Sequence, residues 1–429
     1  MVRILSLIAI LLNAIVVSSQ TIPRARPERM ETRIRDLSKF GANPQGGVSR
    51  MAFSEADQQG RAYITGIMKA AGLDVRMDAA GNIIGKRAGK NPALPIIAFG
   101  SHIDSVPFGG NYDGDVGVIG AIECIELLNE GNIRTEHPLE MIVFTDEEGG
   151  LVGSTAMTGP LKDGDLEHVS TSGKTIRQGI ADLGGDPGKL AGAVRPKGEL
   201  LAFLELHIEQ GGILFNSNID IGVVEGIVGI EQWEVTIEGK ANHAGTTPMN
   251  LRQDALLAAS RLIIAINESV RSITGNQVGT VGQIKAAPGA PNVIPGKVVM
   301  SLELRDLSRD KIYTVFEKIR LRAADIEKES GTQITFQIIN SNFPAITDKR
   351  IQELIASAAR NLGFTFMQMP SGAGHDTQDM AKIAPAGMVF VPSKKGVSHA
   401  PDEFTSPQDM ANGASVLFQT ILALDKDKH

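Results

Sequence analysis

The segment Ile97-Ala98-Phe99-Gly100-Ser101-His102-Ile103-Asp104 is an apolar run that ends in a histidine and an aspartate two residues apart. Its length and composition predict a buried β-strand at Leu94–Gly100. Segments with helical spacing separate it from further strand-like apolar runs, which lie at Leu139–Thr145, Leu200–Leu206 and Met388–Val391. Strands that alternate with helices predict an α/β domain with a mainly parallel central sheet.

Helix signals lie between and before these strands. Ser54-Glu55-Ala56-Asp57 has the spacing of a capping box, which predicts a helix that starts there and runs to about Ala71. Apolar residues at helical spacing predict two more helices, at Asp115–Asn129 and Lys349–Leu362. A short pair of strands is expected between Asp74 and Gly85.

The middle of the chain has a different order of elements. From Gly226 to about Asn340 the patterns predict strand, helix, strand, strand, helix and strand, at Gln232–Glu238, Leu251–Val270, Gly279–Ile284, Lys297–Arg305, Ser308–Glu329 and Thr332–Ile339. This β-α-β-β-α-β order is that of a common α+β sandwich. Since 429 residues are too many for one compact core, we predict two domains. The larger comprises residues 23–224 and 341–426, and the smaller, residues 225–340, is inserted into it.

The N-terminus reads as a secretory signal peptide. Arg3 supplies a positive charge, the residues from Ile4 to Val17 are nearly all apolar, and small residues precede a possible cleavage site before Gln20. A run of about 14 apolar residues is short for a membrane span. We therefore expect residues 1–19 to be removed, the mature protein to be secreted or periplasmic, and no stable membrane insertion thereafter. An uncleaved anchor is the alternative.

Composition excludes several classes of function. A net charge of −7, with no basic stripe, argues against nucleic acid as a partner. Cys124 is the only cysteine, so an intramolecular disulfide and a multi-thiolate metal site are both excluded. Any metal ion must therefore be held by histidine and carboxylate side chains. His137, His168 and His429 match no motif and are expected at the surface.

Histidines and carboxylates cluster where the predicted strands end. His102 and His207 close two of the strands, Asp146-Glu147-Glu148 follows a third, and His399 lies beyond the last. Ligands of open α/β sheets gather at the carboxyl ends of strands, and three adjacent carboxylates are costly to bury without a cation. Imidazole and carboxylate suit Zn²⁺, Co²⁺, Ni²⁺ or Mn²⁺.

Two aspartates complete this set. Asp113 lies in a glycine-rich turn at the start of the predicted Asp115 helix. Asp104 can receive the second ring N–H of His102 and so fix its tautomer, and we include it among the candidate catalytic residues.

With these residues in view, the sequence resembles the metallopeptidase-like amidohydrolases, which include N-carbamoyl-L-amino-acid hydrolases, allantoate amidohydrolases and dinuclear-metal β-ureidopropionases. The similar segments occur in the family's order between about residue 30 and residue 425. They are residues 100–106, 109–114, 147–149, 206–211, 241–249, 291–296, 371–376 and 391–401.

The resemblance implies an aminopeptidase-like catalytic domain with two divalent metal ions per subunit, zinc first and manganese, cobalt or nickel as alternatives. It implies that one ion is held by His102 and His207, the other by Glu148 and His399, and that Asp113 bridges both. Glu147 would be the general base that takes a proton from a water between the ions and passes it to the leaving nitrogen.

The resemblance also implies residues that hold a small-molecule substrate. His243 would stabilise the oxyanion, and Asn292 and Arg305 would bind a carboxylate. Some of these would come from a partner subunit, so a homodimer is implied and the inserted domain would serve as lid and dimerisation domain. Gln210, Gly374 and His375 would be further substrate contacts. Alternatively, Gln210 caps a strand and His375 pairs structurally with Asp376.

The sequence differs from the family's pattern at one place that bears on the identity of the substrate. Related sequences often continue Glu-Glu-Gly with Ser-Arg-Phe, whereas this chain has Gly150-Leu151-Val152.

Our first hypothesis is an amidohydrolase that cleaves a linear amide or ureido C–N bond of a carboxylated substrate, of the N-carbamoyl-L-amino-acid or allantoate type. The second is a secreted dipeptidase or aminopeptidase of the same architecture. The third, a binding protein without activity, conflicts with the presence of Glu147 and all five expected ligands.

Overall fold

The computed structural model describes residues 23–159 and 161–426, so the predicted signal peptide and His429 lie outside the described residues. The strands are β1 (Asp74–Met77), β2 (Ile83–Arg87), β3 (Ile96–His102), β4 (Leu139–Phe144), β5 (Leu200–Ile208), β6 (Ile221–Ile227), β7 (Gly229–Glu238), β8 (Asn242–His243), β9 (Val278–Thr280), β10 (Ile284–Ala287), β11 (Val293–Ile294), β12 (Lys297–Asp306), β13 (Gln333–Asn342), β14 (Ala345–Ile346), β15 (Phe366–Ser371) and β16 (Ala386–Val391). The helices are α1 (Pro27–Leu37), α2 (Glu55–Ala70), α3 (Asp115–Glu130), α4 (Glu147–Gly150), α5 (Val152–Thr158), α6 (Asp163–Leu166), α7 (Ile176–Leu183), α8 (Ile213–Ser217), α9 (Ala255–Arg271), α10 (Arg309–Ser330), α11 (Lys349–Leu362), α12 (Asp376–Met380) and α13 (Pro407–Lys426).

The larger domain is built on a nine-stranded sheet. Its strands follow the order β1-β2-β4-β3-β5-β16-β6-β14, and β15 also pairs with β6. The central pairs β4–β3, β3–β5 and β5–β16 are parallel, whereas the β1–β2 and β6–β14 pairs near the two edges are antiparallel. Helix α3 is apolar on nearly all sides, so it is buried in the core between the sheet and α13. The predicted α/β fold with a mainly parallel sheet is confirmed.

The smaller domain has its own antiparallel sheet and core. Its strands follow the order β10-β12-β7-β13, with β9 also paired to β12, and α9 and α10 pack on this sheet. The predicted strand Gly279–Ile284 is instead two short strands, β9 and β10. They separate because the backbone N–H groups of Gly282 and Gln283 donate to the hydroxyl of Ser301, at 3.1 and 3.0 Å, rather than continuing the ladder.

The chain crosses between the two sheets twice, at neighbouring points. β6 stays in the large sheet to Ile227, and β13 stays in the small sheet to Asn342. Both crossings therefore lie a few residues beyond the predicted boundaries of 225–340. The crossings pack closely: a Cβ on Gly226 would lie 2.7 Å from the carbonyl oxygen of Ala345, and one on Gly229 would lie 2.7 Å from Pro344 Cδ.

The helix predicted to start at Ser54 is confirmed as α2, and Ser54 caps it by accepting the N–H of Asp57. The Asp57 carboxylate accepts from Phe53 N–H at 2.8 Å, so the reciprocal bond of a capping box is absent. The prediction that His137 lies at the surface is wrong. His137 is buried, because it leads into β4 and its Nδ1 lies 2.7 Å from the carbonyl oxygen of Pro95.

Within residues 23–159 and 161–426, no helix has both the length and the apolar character needed to cross a membrane.

Candidate metal centre

The predicted ligands meet at one edge of the large sheet. β3, β4, β5 and β16 end at this edge because the four strands run parallel. His102 closes β3, the Glu147–Glu148 pair follows β4, His207 lies near the end of β5, and His399 follows β16. The turn before α3 brings Asp113 between them.

A first cluster comprises His102, His207 and Asp113. The Nε2 atoms of His207 and His102 lie 3.1 and 3.7 Å from Asp113 Oδ1. The two imidazoles are roughly parallel, with ring centroids 5.8 Å apart. One ligand atom from each of the three residues lies within 4.8 Å of the others, which suits a shared cation.

A second cluster shares Asp113 with the first. His399 Nε2 lies 3.2 Å from Asp113 Oδ2 and 3.5 Å from Glu148 Oε1, and these three residues also bring ligand atoms within 4.8 Å of one another. The two carboxylate oxygens of Asp113 therefore face different clusters. The five residues predicted as ligands are brought together in the pairing that the resemblance implies.

Backbone contacts orient the two buried imidazoles. The Nδ1 atoms of His102 and His207 lie 3.1 and 2.9 Å from the carbonyl oxygens of Asp104 and Ile208. The N–H of Gly114 points at His207 Nε2, at 3.2 Å. With Nδ1–H donated to a carbonyl, the lone pair that a metal ion would use lies on Nε2; in His207 this lone pair accepts the Gly114 N–H.

The Asp104 carboxylate lies 3.6 Å from His102 Nδ1, and the Asp104 carbonyl oxygen is nearer, at 3.1 Å. The carboxylate also accepts the N–H groups of Glu147 and Glu148 at 3.2 and 3.1 Å. Asp104 thus fixes the backbone of the glutamate pair.

Glycine is required next to the first cluster. Gly114 has a positive φ of 66°, and a Cβ at this position would lie 2.5 Å from the His102 ring. No larger residue fits there without displacing a candidate ligand.

The electrostatics of the site fit a cation. Burial raises the pKa of Glu147 well above its usual range, and the charges of Asp376 and Glu148 add to this. Burial together with the charge of Asp113 raises the pKa of Glu148 to about 7. His102 Nε2 and Glu148 Oε1 are buried without a hydrogen-bond partner among the described residues. Nitrogen and oxygen donors so arranged suit divalent zinc, manganese, cobalt or nickel.

Glu147 belongs to neither cluster but lines the same cavity. Its Oε2 lies 3.6 Å from His102 Nε2. The cavity is about 180 Å³ in volume and is lined by Asp113, Glu147, Glu148, Leu151, Gln210, Ala373, Gly374, His375 and His399. A carboxylate beside the candidate ligands, facing a small cavity, can exchange a proton with a molecule held there.

Three predicted substrate contacts also line this cavity. Gln210 has a positive φ of 50°, and its side-chain amide donates to Asp113 Oδ2 at 2.7 Å. Gly374 contributes its backbone to the cavity lining. His375 is buried, 2.9 Å from the Ser371 hydroxyl rather than paired with Asp376, and its ring meets the His207 ring edge-on with centroids 4.4 Å apart. Burial and the charge of His207 hold the pKa of His375 well below its usual value, which favours the neutral form of its ring.

The predicted substrate residues of the small domain are arranged differently. Arg305 reaches across to the large domain, where its Nη1 donates to the carbonyl oxygen of Gly372 at 2.7 Å. His243, on β8, and Asn292, directly before β11, are both exposed. Neither side chain lines the cavity of its own chain.

Glu403, whose carboxylate links the loop before α3 to the loop after β16, was not identified from the sequence. Glu403 is buried and accepts the N–H groups of Tyr112 and Asp113 at 2.9 and 3.0 Å. It also accepts from the hydroxyl of Ser398, beside His399, at 2.9 Å. The only signal in the sequence was its position four residues after His399, because its partners Tyr112 and Asp113 lie far away along the chain.

The fold and the site define a class: a hydrolase of metallopeptidase-like architecture, with a histidine and carboxylate cluster at the carboxyl edge of its parallel sheet. The sequence pattern of peptidase family M20/M25/M40 matches residues 98–423, and the chain belongs to this family. It is an amidohydrolase within it, a hydrolase of C–N bonds other than peptide bonds.

Known proteins are similar over nearly the whole chain. An N-carbamoyl-L-amino acid amidohydrolase from Geobacillus stearothermophilus is 40% identical over 92% of this chain and 98% of its own. A ureidoglycolate hydrolase from Arabidopsis thaliana is 39% identical over 93% of this chain and 86% of its own. The crystal structure of an amidase of the hydantoinase/carbamoylase family from Burkholderia multivorans is 34% identical, with a TM-score of 0.88 over 95% of this chain and 99% of that one.

Proposed function

We propose that the protein hydrolyses the ureido C–N bond of a small carboxylated substrate, of the N-carbamoyl-L-amino-acid type or the related ureidoglycolate and allantoate type. The observation that carries this proposal is the pair of ligand clusters that share Asp113, with Glu147 beside them in a small cavity. The similarity to an N-carbamoyl-L-amino acid amidohydrolase and a ureidoglycolate hydrolase supports the substrate class.

The donor set supports a dinuclear centre. His102, His207 and one oxygen of Asp113 would hold one divalent ion, and Glu148, His399 and the other oxygen of Asp113 would hold the second. When bound, such ions polarise a carbonyl oxygen and lower the pKa of water towards neutrality.

Glu147 supplies the proton transfers in this proposal. Its carboxylate takes a proton from the attacking water and delivers it to the leaving nitrogen as the C–N bond breaks. For an N-carbamoyl amino acid, one water adds to the carbamoyl carbon, and the products are the amino acid, CO₂ and ammonia. The Glu147 N–H donates to the Asp104 carboxylate, which fixes the backbone that carries the Glu147 side chain.

A substrate panel on the chain from Gln20 onward tests this function. Protein loaded with zinc, manganese, cobalt or nickel is expected to release ammonia from N-carbamoyl-L-amino acids, ureidoglycolate or allantoate, and to leave dipeptides intact. Removing divalent ions with a chelator should lower the rate by at least about a hundredfold, and adding the ion back should restore it. Faster cleavage of dipeptides, or full activity of the metal-free protein, would contradict the proposal.

We further propose that the enzyme is a homodimer in which the partner supplies His243 and Asn292 to each cavity. The exposure of both residues, away from the cavity of their own chain, supports this arrangement. Subunits with His243→Ala and subunits with Glu147→Gln are each expected to be inactive. Co-expression should restore roughly a quarter of wild-type activity, because about half of the dimers would contain one intact site of two. Mixtures that stay inactive would rule out a shared site.

A further inference from the structure

A larger cleft adjoins the candidate metal centre. It has a volume of about 630 Å³, which is within the range of small-molecule sites, and lies between the large domain and the returning chain crossing. Its lining residues are Gly150, Leu151, Thr155, residues 341–346, Gln378, Asp379, Ala381 and Lys382. Leu151 lines both this cleft and the 180 Å³ cavity that holds Glu147. Leu151 is therefore a boundary residue of both spaces.

One wall of this cleft is apolar and held in place. Phe343 and Ile346 present exposed side chains, with 62% and 52% of each residue accessible. The Arg309 guanidinium lies 4.0 Å from the centroid of the Phe343 ring, and the Phe343 carbonyl oxygen accepts from the Gln378 amide at 3.0 Å. An exposed aromatic ring in contact with a guanidinium group offers surface that can pack against an apolar group.

Elsewhere in the lining of the cleft, two charged side chains form an ion pair with each other. Asp379 and Lys382, the two charged residues of the lining, form an ion pair. Asp379 also accepts from the hydroxyl of Thr155 at 2.6 Å. A charged group entering the cleft would have to compete with this pair, whereas an apolar group would not.

The residue that the two linings share is a hydrocarbon side chain. Leu151 has a positive φ of 57° and is partly buried, between α4 and α5. A long basic side chain at this position would put a cation at the mouth of the cleft. With leucine there, the residue shared by the cavity and the cleft is apolar, as is Phe343 in the lining of the cleft.

We infer that the cleft receives the side chain of the substrate and selects a large apolar one, with Leu151 and Phe343 as the residues that determine specificity. This inference rests on the proposed function and narrows it to N-carbamoyl amino acids with aromatic or long aliphatic side chains. None of the three other substrates offers an apolar side chain: N-carbamoylglycine carries a hydrogen at this position, ureidoglycolate a hydroxyl group and allantoate a polar second ureido group.

The kcat/KM values of N-carbamoyl-L-phenylalanine, N-carbamoyl-L-leucine and N-carbamoylglycine test the inference. The phenylalanine and leucine compounds should each exceed the glycine compound by at least about tenfold, because a hydrophobic pocket discriminates by roughly that factor for each methylene it buries. Both Phe343→Ala and Leu151→Arg should reduce the phenylalanine-to-glycine ratio by about tenfold or more. A ratio within one variant does not depend on how much of the protein is folded.

Phe215→Ala is the matched control, because Phe215 is also an exposed aromatic residue but lies on α8, outside the cleft. It should leave the ratio within about twofold of wild type. Wild-type protein that hydrolyses N-carbamoylglycine, ureidoglycolate or allantoate as well as the phenylalanine compound would overturn the inference and leave the proposed function intact. Phenylalanine-to-glycine ratios of Phe343→Ala and Leu151→Arg that match the wild-type ratio would also overturn the inference and leave the proposed function intact. Failure to hydrolyse any ureido compound would instead overturn the proposed function itself.

Discussion

Replacing Glu147 with glutamine is expected to lower kcat on the order of a thousandfold, while the protein keeps its divalent ions. Glutamine has nearly the same shape but cannot take a proton from water at neutral pH, and loss of a positioned general base typically costs 10²-fold to 10⁴-fold. Metal content should persist because Glu147 belongs to neither ligand cluster. Steady-state ammonia release and metal analysis of the same dialysed sample measure both quantities.

Glu353→Gln makes the same chemical change on the exposed surface of α11 and is the control. It should match wild type in rate and in metal content. Activity of Glu147→Gln within about tenfold of wild type would show that another group is the base. If Glu147→Gln instead lost an ion, Glu147 would have to be reassigned as a ligand.

Replacing Asp113 with alanine is expected to remove both divalent ions, whereas Glu148→Ala should remove only one. The reason is geometric: Asp113 Oδ1 faces His102 and His207, and Asp113 Oδ2 faces His399. Glu148 contacts the His399 cluster alone. Activity of Asp113→Ala should fall below detection, because neither ion would then be held beside the cavity.

Equilibrium dialysis followed by metal analysis distinguishes these cases. Wild type should retain about two ions per chain, Glu148→Ala about one and Asp113→Ala none. The affinity of each lost site for its divalent ion should fall by at least about a hundredfold. Circular dichroism melts would verify that both variants are folded. Two ions retained by Asp113→Ala would show that Asp113 does not bridge the clusters.

The half of the large sheet that carries the candidate ligands was predictable, because β3, β4, β5 and β16 are continuous apolar runs. β6 and β15 were not predicted. Two glycines interrupt the apolar run of β6, and β15 contains a glutamine, a proline and a serine. Their place in the sheet comes from pairing with each other and, for β6, with β16, which local patterns do not encode.

By itself, the sequence determined the chemistry that this protein can carry out. Histidines and carboxylates without cysteine partners limit the metal ions, and their positions after apolar strands put them at one edge of an α/β sheet. Predictions of this kind succeed because they depend on residue type and on short-range periodicity.

Only the tertiary structure decided which atoms meet. The two oxygens of Asp113 face different clusters, and the Asp104 carboxylate accepts the backbone N–H groups of Glu147 and Glu148. Leu151 lines both the cavity and the cleft. The bond from Asp113 N–H to Glu403 spans 290 residues of sequence. Such contacts depend on how distant segments pack, so no local pattern specifies them.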